Sequence, residues 1–255
     1  MPTSKPTTST DVLVVGAGPG GSSTAIAIGG NLDVLMIDAK REPGKPIRCA
    51  GGIARYWLDR LGLKPPRSCF AADIHGVRIK GGPPCSLSEV YLRSSEALGH
   101  VLYRDRFDSW LVDQAEKFDV VTSFHTTFRG LGKGDVKTSR GDVKAKVIVG
   151  ADGPLSMVGH AAGLPVGVQD HEMYAAIQYL VELPDYPGDE ITLFFGERIA
   201  PGGYAWVFPY GDGLAEVGIG VVKSRGSPKP WLHKFLNDHK EYAGRVLRVN
   251  GGLIP

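Results

Sequence analysis

The sequence predicts an α/β chain: a Rossmann-type nucleotide-binding domain, with a second domain of α+β character, largely antiparallel sheet, inserted into it and appended after it. Three observations point there. Residues 11–38 read as strand, glycine loop, helix and strand; residues 146–153 read as an apolar strand ending in Asp-Gly; and Met173 to Val222 is almost unbroken strand pattern.

The first unit runs from the apolar strand Asp11-Val12-Leu13-Val14-Val15 into Gly16-Ala17-Gly18-Pro19-Gly20-Gly21, then through a small-residue helix to a strand ending Leu35-Met36-Ile37-Asp38. Gly16 permits the tight turn, Gly18 lets backbone approach a pyrophosphate, and Gly21 lets the helix pack on the sheet. The pyrophosphate would rest on the unpaired N–H groups of the helix start, with Pro19 and Gly20 in that first turn. Asp38, followed by Ala39, stands where a carboxylate accepts hydrogen bonds from a ribose, and an acid there argues against a 2′-phosphate. An ordinary βαβ turn shares the glycines, but not the whole set of strand, helix and terminal acid. The pattern implies an FAD/NAD(P)-binding domain without separating NAD from FAD.

Further along, Ala39 to Gly52 forms a long basic loop with Lys40, Arg41, Lys45 and Arg48, a length more often functional than idle. Ile53 to Leu61 resumes helical spacing. Phe70 to Lys80 and Glu89 to Arg93 read as strands around a turn at Gly81 to Pro84. Arg104 to Phe118 predicts an amphipathic helix with Phe107, Trp110, Leu111, Ala115 and Phe118 on one side. Lys146 to Gly150 would return the chain to the nucleotide-binding sheet. Turns at 184–189, 200–203 and 211–213 divide the later strands, and Pro228 or Pro230 starts a helix carrying Trp231, Leu232, Phe235 and Leu236. The expected division is a disordered tail at 1–10, a nucleotide domain at 11–68 and 99–163, and a β-sheet substrate domain at 69–98 and 164–255.

Composition narrows the function classes. The 255 residues are 42% hydrophobic and 22% charged, an ordinary globular balance. The net charge of +2 comes from 29 basic and 27 acidic residues, well mixed, which gives no electrostatic case for nucleic acid. The three cysteines, Cys49, Cys69 and Cys85, form no C-x-x-C pair, and the seven histidines lack ligand spacing, so no metal is expected and a reducing, cytoplasmic compartment is. The Thr/Ser/Pro-rich start does not read as a secretion signal, and no apolar run of about 18 residues is present to span a bilayer.

Two segments carry candidate chemistry. Tyr204, Trp206 and Phe208 alternate in Pro201-Gly202-Gly203-Tyr204-Ala205-Trp206-Val207-Phe208-Pro209 and so share one strand face. That face is readable either as core of the second sheet or as an apolar groove. Cys49, in Arg48-Cys49-Ala50-Gly51-Gly52, is readable as an inert loop thiol or as a proton donor beside a ligand.

These motifs together resemble the FAD-dependent geranylgeranyl reductase family, archaeal digeranylgeranylglycerophospholipid type, within the para-hydroxybenzoate hydroxylase-like flavoproteins. Gly16 to Gly21 with Asp38 resembles the motif binding the ADP part of FAD. Pro46 to Gly52, with Arg48, Cys49, Ala50 and Gly51, resembles the cysteine-glycine loop passing the flavin ring. Arg104-Asp105-Arg106-Phe107-Asp108 resembles a helix start whose arginine, here Arg106, contacts FAD. Gly150-Ala151-Asp152-Gly153 with Ser156 resembles the group's Asp-Gly motif, and Tyr204 to Pro209 matches the substrate-cavity signature Y-x-W-x-F-P. Gly159 departs from the resembled group, which usually has an arginine three residues after the serine. No Gly-Asp segment resembles the second flavin motif before Pro255, as in a truncated or incomplete member.

The resemblance implies transfer of hydride from reduced FAD to an isolated prenyl double bond in membrane lipid biosynthesis, with Cys49 at the flavin face. Tyr204, Trp206, Phe208 and Pro209 would shape the cavity. The implied substrate is a prenylated lipid or prenyl diphosphate, taken up through transient contact with a membrane surface. NADPH and a ferredoxin-like protein are both compatible electron donors, and the sequence leaves oligomeric state open. Two alternatives remain on sequence alone: a flavin monooxygenase of an apolar or aromatic substrate, and a non-catalytic flavin-binding fragment.

Overall fold

The computed structural model describes residues 8–81, 88–166 and 173–254. In chain order the elements are β1 (Thr8–Val15), α1 (Pro19–Ile28), β2 (Val34–Ile37), β3 (Gly52–Ala54), α2 (Arg55–Arg60), β4 (Phe70–Ile74), β5 (Gly76–Gly81), β6 (Ser88–Arg93) and β7 (Gly99–Leu102). There follow α3 (Arg104–Glu116), β8 (Val121–Ser123), β9 (Phe128–Leu131), β10 (Val136–Thr138), β11 (Gly141–Gly150) and α4 (Met157–Ala161). The last are β12 (Tyr174–Glu182), β13 (Glu190–Phe195), β14 (Tyr204–Pro209), β15 (Leu214–Val222), α5 (Pro228–Asp238) and β16 (Val246–Ile254).

The chain divides into two compact units, residues 1–46 with 105–168 and residues 47–104 with 169–255. The expected division put 47–68 and 99–104 with the nucleotide domain. The antiparallel sheet β3-β7-β4 ties these stretches to the second unit instead, with Ile53 opposite His100 and Asp73 opposite the same residue.

In the first unit, the described strands form one sheet in the order β8-β2-β1-β11-β10-β9. Its β8, β2, β1 and β11 are parallel, with Val15 opposite both Ile37 and Gly150, and β10 and β9 extend it antiparallel. Both faces are covered, which explains why β1 reads as continuously apolar. Val12 and Val14 pack with Ala25, Val112 and Ala115 on one side, while Leu13 and Val15 pack with Phe128, Val143 and Val158 on the other. β1 begins at Thr8 and pairs there with Val143, so Thr8 to Thr10 are strand where a disordered tail was expected; ladder partners outweigh their polar composition. Residues 1–7 of that tail lie outside the described residues, as do Gly82 to Pro84 of the predicted turn and Cys85.

α3 buries Phe107, Leu111, Val112 and Ala115. Phe118, expected on this face, lies beyond the helix and is exposed, because α3 ends two residues earlier.

The second unit holds a larger sheet in the order β16-β12-β15-β14-β13-β5-β6, antiparallel except where β13 meets β5. α5, capped by Ser227 and opened by Pro228, lays Leu232 and Phe235 against one face, where Phe194, Ala205, Val207, Val217 and Ile219 form the core. Each such large apolar side chain stabilises the fold by about 1.5–3 kcal/mol when fully buried.

Candidate functional site

The predicted site residues fall into two groups, one in each unit. In the first, the glycine loop leaves β1 and enters α1. A Cβ on Gly16 would lie 2.2 Å from the carbonyl oxygen of Ala151, and one on Gly21 would lie 1.8 Å from that of Gly16. Only glycine fits at either position, so the loop is pressed against the end of β11. A Cβ on Gly18 or Gly20 would meet nothing within 4 Å. The loop is therefore packed on its inner side and open on its outer side. Gly18 precedes Pro19 at the helix start, and no side chain caps the first-turn N–H groups.

Asp38 follows β2 and fixes this loop from below. Its Oδ2 accepts from Ala17 N at 2.8 Å and its Oδ1 from Lys40 N at 2.7 Å. Each carboxylate oxygen keeps a second lone pair. Ala39 beside it is exposed.

Asp152 lies against the same loop but is also engaged locally. Ser156 Oγ donates to its Oδ1 at 2.5 Å, and Met157 N and Val158 N donate to its Oδ2 at 2.7 and 3.1 Å, holding the start of α4. Gly153 is exposed beside it with a φ of 91°. At Gly159 a Cβ would fall 2.5 Å from Val166 Cγ1, so the valine packs directly on the backbone there. Arg106 is exposed in the first turn of α3, and its N–H bonds Asp105 Oδ1 at 3.0 Å.

In the second unit, the cysteine loop and the aromatic strand come together. Gly51 N donates to Cys49 Sγ at 3.4 Å, orienting an exposed thiol. Burial pushes the Tyr204 hydroxyl above its ordinary pKa, and the nearby Cys49 thiol adds to that shift. Four residues on, the Phe208 ring approaches the α-carbon side of Gly52, where a Cβ would lie 2.7 Å from it. Ala50 is half-buried, and the Arg48 stem lies across Gly252 of β16.

The alternation seen in the sequence now has a definite outcome. Ala205 and Val207 face α5 and the core, whereas Tyr204, Trp206 and Phe208 face the opposite side with the cysteine loop. Tyr204 is 41% exposed and Trp206 5%. Their rings lie 5.6 Å apart, and Phe195 extends the wall at 5.5 Å from Tyr204; Pro209, expected to shape the same cavity, is buried and alternates onto the face of Ala205 and Val207. Among the described residues no helix is long and apolar enough to cross a membrane, and no His/Cys/Asp/Glu group is arranged for a metal.

Sequence reading missed Gln178 and Glu216 on this same aromatic face. Glu216 Oε1 accepts from Arg248 Nη2 at 2.7 Å across β12. Burial raises the Glu216 pKa, and the Arg248 bond opposes that only in part. The available signal was a lone acid in the otherwise apolar run Leu214 to Val222.

Residues 172–254 match the family described as geranylgeranyl reductase catalytic domain. Digeranylgeranylglycerophospholipid reductase 2 of Methanosphaera stadtmanae is 37% identical over 237 residues, covering 88% of this chain and 60% of the relative. The digeranylgeranylglycerophospholipid reductase of Methanosarcina acetivorans is 36% identical, covering 91% and 59%. A geranylgeranyl bacteriochlorophyll reductase-like structure from Thermoplasma acidophilum superposes with a TM-score of 0.90 at 34% identity, covering 98% of this chain and 67% of that one. The halogenase PltM, solved with FAD and phloroglucinol, shares the fold at a TM-score of 0.73 and 16% identity, covering 96% of this chain and 60% of the halogenase. The chain thus spans about 60% of the length of the two reductases from the methanogens.

Proposed function

The chain belongs to the geranylgeranyl reductase family, and on that premise we propose that it binds FAD and serves the reduction of isoprenoid double bonds in a prenylated lipid. The observation that carries the reading is the aromatic face of β14 opposed by the Cys49 loop, away from the α5-packed core.

The first unit suits the cofactor. Its loop is open at Gly18 and Gly20, where a pyrophosphate needs backbone approach, and the uncapped N–H groups of α1 would bind it. Asp38 retains acceptor capacity for a ribose hydroxyl while holding Ala17 and Lys40 in place. Asp152 would act by positioning the turn beside the loop. Arg106, Arg48, Ala50 and Gly51 are proposed cofactor contacts on the family's pattern.

When bound, reduced FAD supplies hydride to one alkene carbon. The chain's own work is to deliver a proton to the other carbon and to hold the alkene dry. Cys49 Sγ is the proposed proton donor, with Gly51 N fixing its direction. Tyr204, Trp206 and Phe208 offer ring faces that favour developing positive charge on carbon and exclude water. A lipid of this kind would be drawn from a membrane surface.

The test is the visible spectrum of protein purified from a flavin-replete host, followed by a prenyl-lipid reduction assay with dithionite. Bound FAD and a saturated product are expected, with Cys49→Ser keeping the flavin and losing turnover. Full turnover in Cys49→Ser would remove the proton-donor role. A colourless chain that cannot be reconstituted would refute FAD binding, and oxygen-dependent NADPH consumption with a hydroxylated product would move the reading to a monooxygenase.

A further inference from the structure

On the aromatic face of the large sheet, three buried polar atoms have no hydrogen-bond partner among the described residues: Gln178 Nε2, Trp206 Nε1 and Glu216 Oε2. Their residues are 3%, 5% and 0% exposed. Strand register brings them to one place. Gln178 on β12 and Trp206 on β14 both stand opposite Gly218 of β15, and Glu216 precedes Gly218 by two residues on the same face. A Cβ on Gly218 would lie 2.4 Å from Trp206 Cε2, the carbon bonded to Nε1, and 2.7 Å from Gln178 Cβ. The indole and the glutamine side chain therefore converge above Gly218, and Glu216 stands two residues along the same strand face.

Buried polar atoms without partners are uncommon, and each costs about 1–3 kcal/mol when nothing satisfies it. Three on one patch of one sheet face define a donor and acceptor set: two N–H groups and one carboxylate oxygen. An anion would match the two donors and be repelled by Glu216. A cation would find one oxygen, and an apolar group would satisfy none of them. A hydroxyl accepts from both N–H groups and donates to the oxygen.

We propose that Gln178, Trp206 and Glu216 form a binding site for one neutral hydroxylic oxygen, either a water or the alcohol group of a bound ligand. Arg248 holds the other Glu216 oxygen, so the carboxylate is anchored by one oxygen and offers the second. The site rests on three side chains of one sheet face, and only the choice of a prenyl alcohol as its ligand rests on the reductase reading.

A high-resolution crystal structure of the full chain tests it. Density for an oxygen within about 2.7–3.2 Å of at least two of the three atoms is expected. A dry site, with the Gln178 amide turned so that it bonds Trp206 Nε1 or Glu216 Oε2 directly, would overturn the proposal. The source of the oxygen follows from titrating geranylgeraniol and the hydrocarbon of the same skeleton against wild type and Gln178→Met, read by tryptophan fluorescence. A preference of about tenfold for the alcohol, lost in Gln178→Met, assigns the oxygen to the ligand. Equal affinities together with solvent density in the crystal assign it to water.

Discussion

The two faces of the seven-stranded sheet each bury a glutamate, and the two are treated differently. On the α5 side, Glu190 is held through both oxygens, Oε1 at 2.7 Å from Arg78 Nε and Oε2 at 3.2 Å from Arg78 Nη2. On the aromatic side, Glu216 is held through one oxygen only, and two neighbouring N–H groups are also unpartnered. The first arrangement closes a core around a paired charge, with Phe194 fully buried nearby. The second leaves polar capacity directed at something else. The contrast is between a buried acid with a partner on each oxygen and one with a partner on a single oxygen.

The widest test of this contrast is Phe194→Ala on the core face. It removes a ring packed against Phe235 and Tyr242 and should cost about 3–5 kcal/mol in urea unfolding. A cost no larger than that of Tyr204→Phe would mean the two faces are not distinct. Arg78→Met should come next, at about 2–3 kcal/mol, because it leaves the Glu190 carboxylate buried without its partner; thermal melting of the variant measures it. Gly218→Ala should cost about 1–3 kcal/mol by forcing a methyl into the indole of Trp206, and Trp206→Phe in the same chain should recover part of that loss.

A smaller effect is a pH dependence at Glu216. The Glu216 pKa is raised in the folded state above its ordinary 4.5, so the native state holds this proton more firmly than the unfolded chain. Its contribution to stability is then complete below about 4.5 and declines as pH rises through the folded value. Glu216→Gln should flatten that part of a melting-temperature profile, and an unchanged slope would mean the carboxyl is not the source. The smallest change is expected from Tyr204→Phe, within about 0.5 kcal/mol, since the hydroxyl stands at the half-open end of the aromatic wall.

Local patterns were legible where neighbours in sequence supply the physics. Gly16, Gly21 and Asp38 could be placed because turn, helix start and strand end follow each other within one short unit, and Ala17 N does bond Asp38. The turns between β12 and β15 and the proline start of α5 were readable for the same reason. The limits of the units were not, because β3, β4 and β7 recruit segments that their own composition assigns to neither side.

The sequence by itself determined that Tyr204, Trp206 and Phe208 share a face, since a strand turns alternate side chains to opposite sides. Only the tertiary structure decided which face that is. A period of two is the same whether α5 lies on Ala205 and Val207 or on the aromatics, and the choice was made by Leu232 and Phe235 packing on the smaller residues. The same holds for Glu216: its burial was suggested by its apolar strand, but its half-paired state depends on Arg248, 32 residues away on another strand.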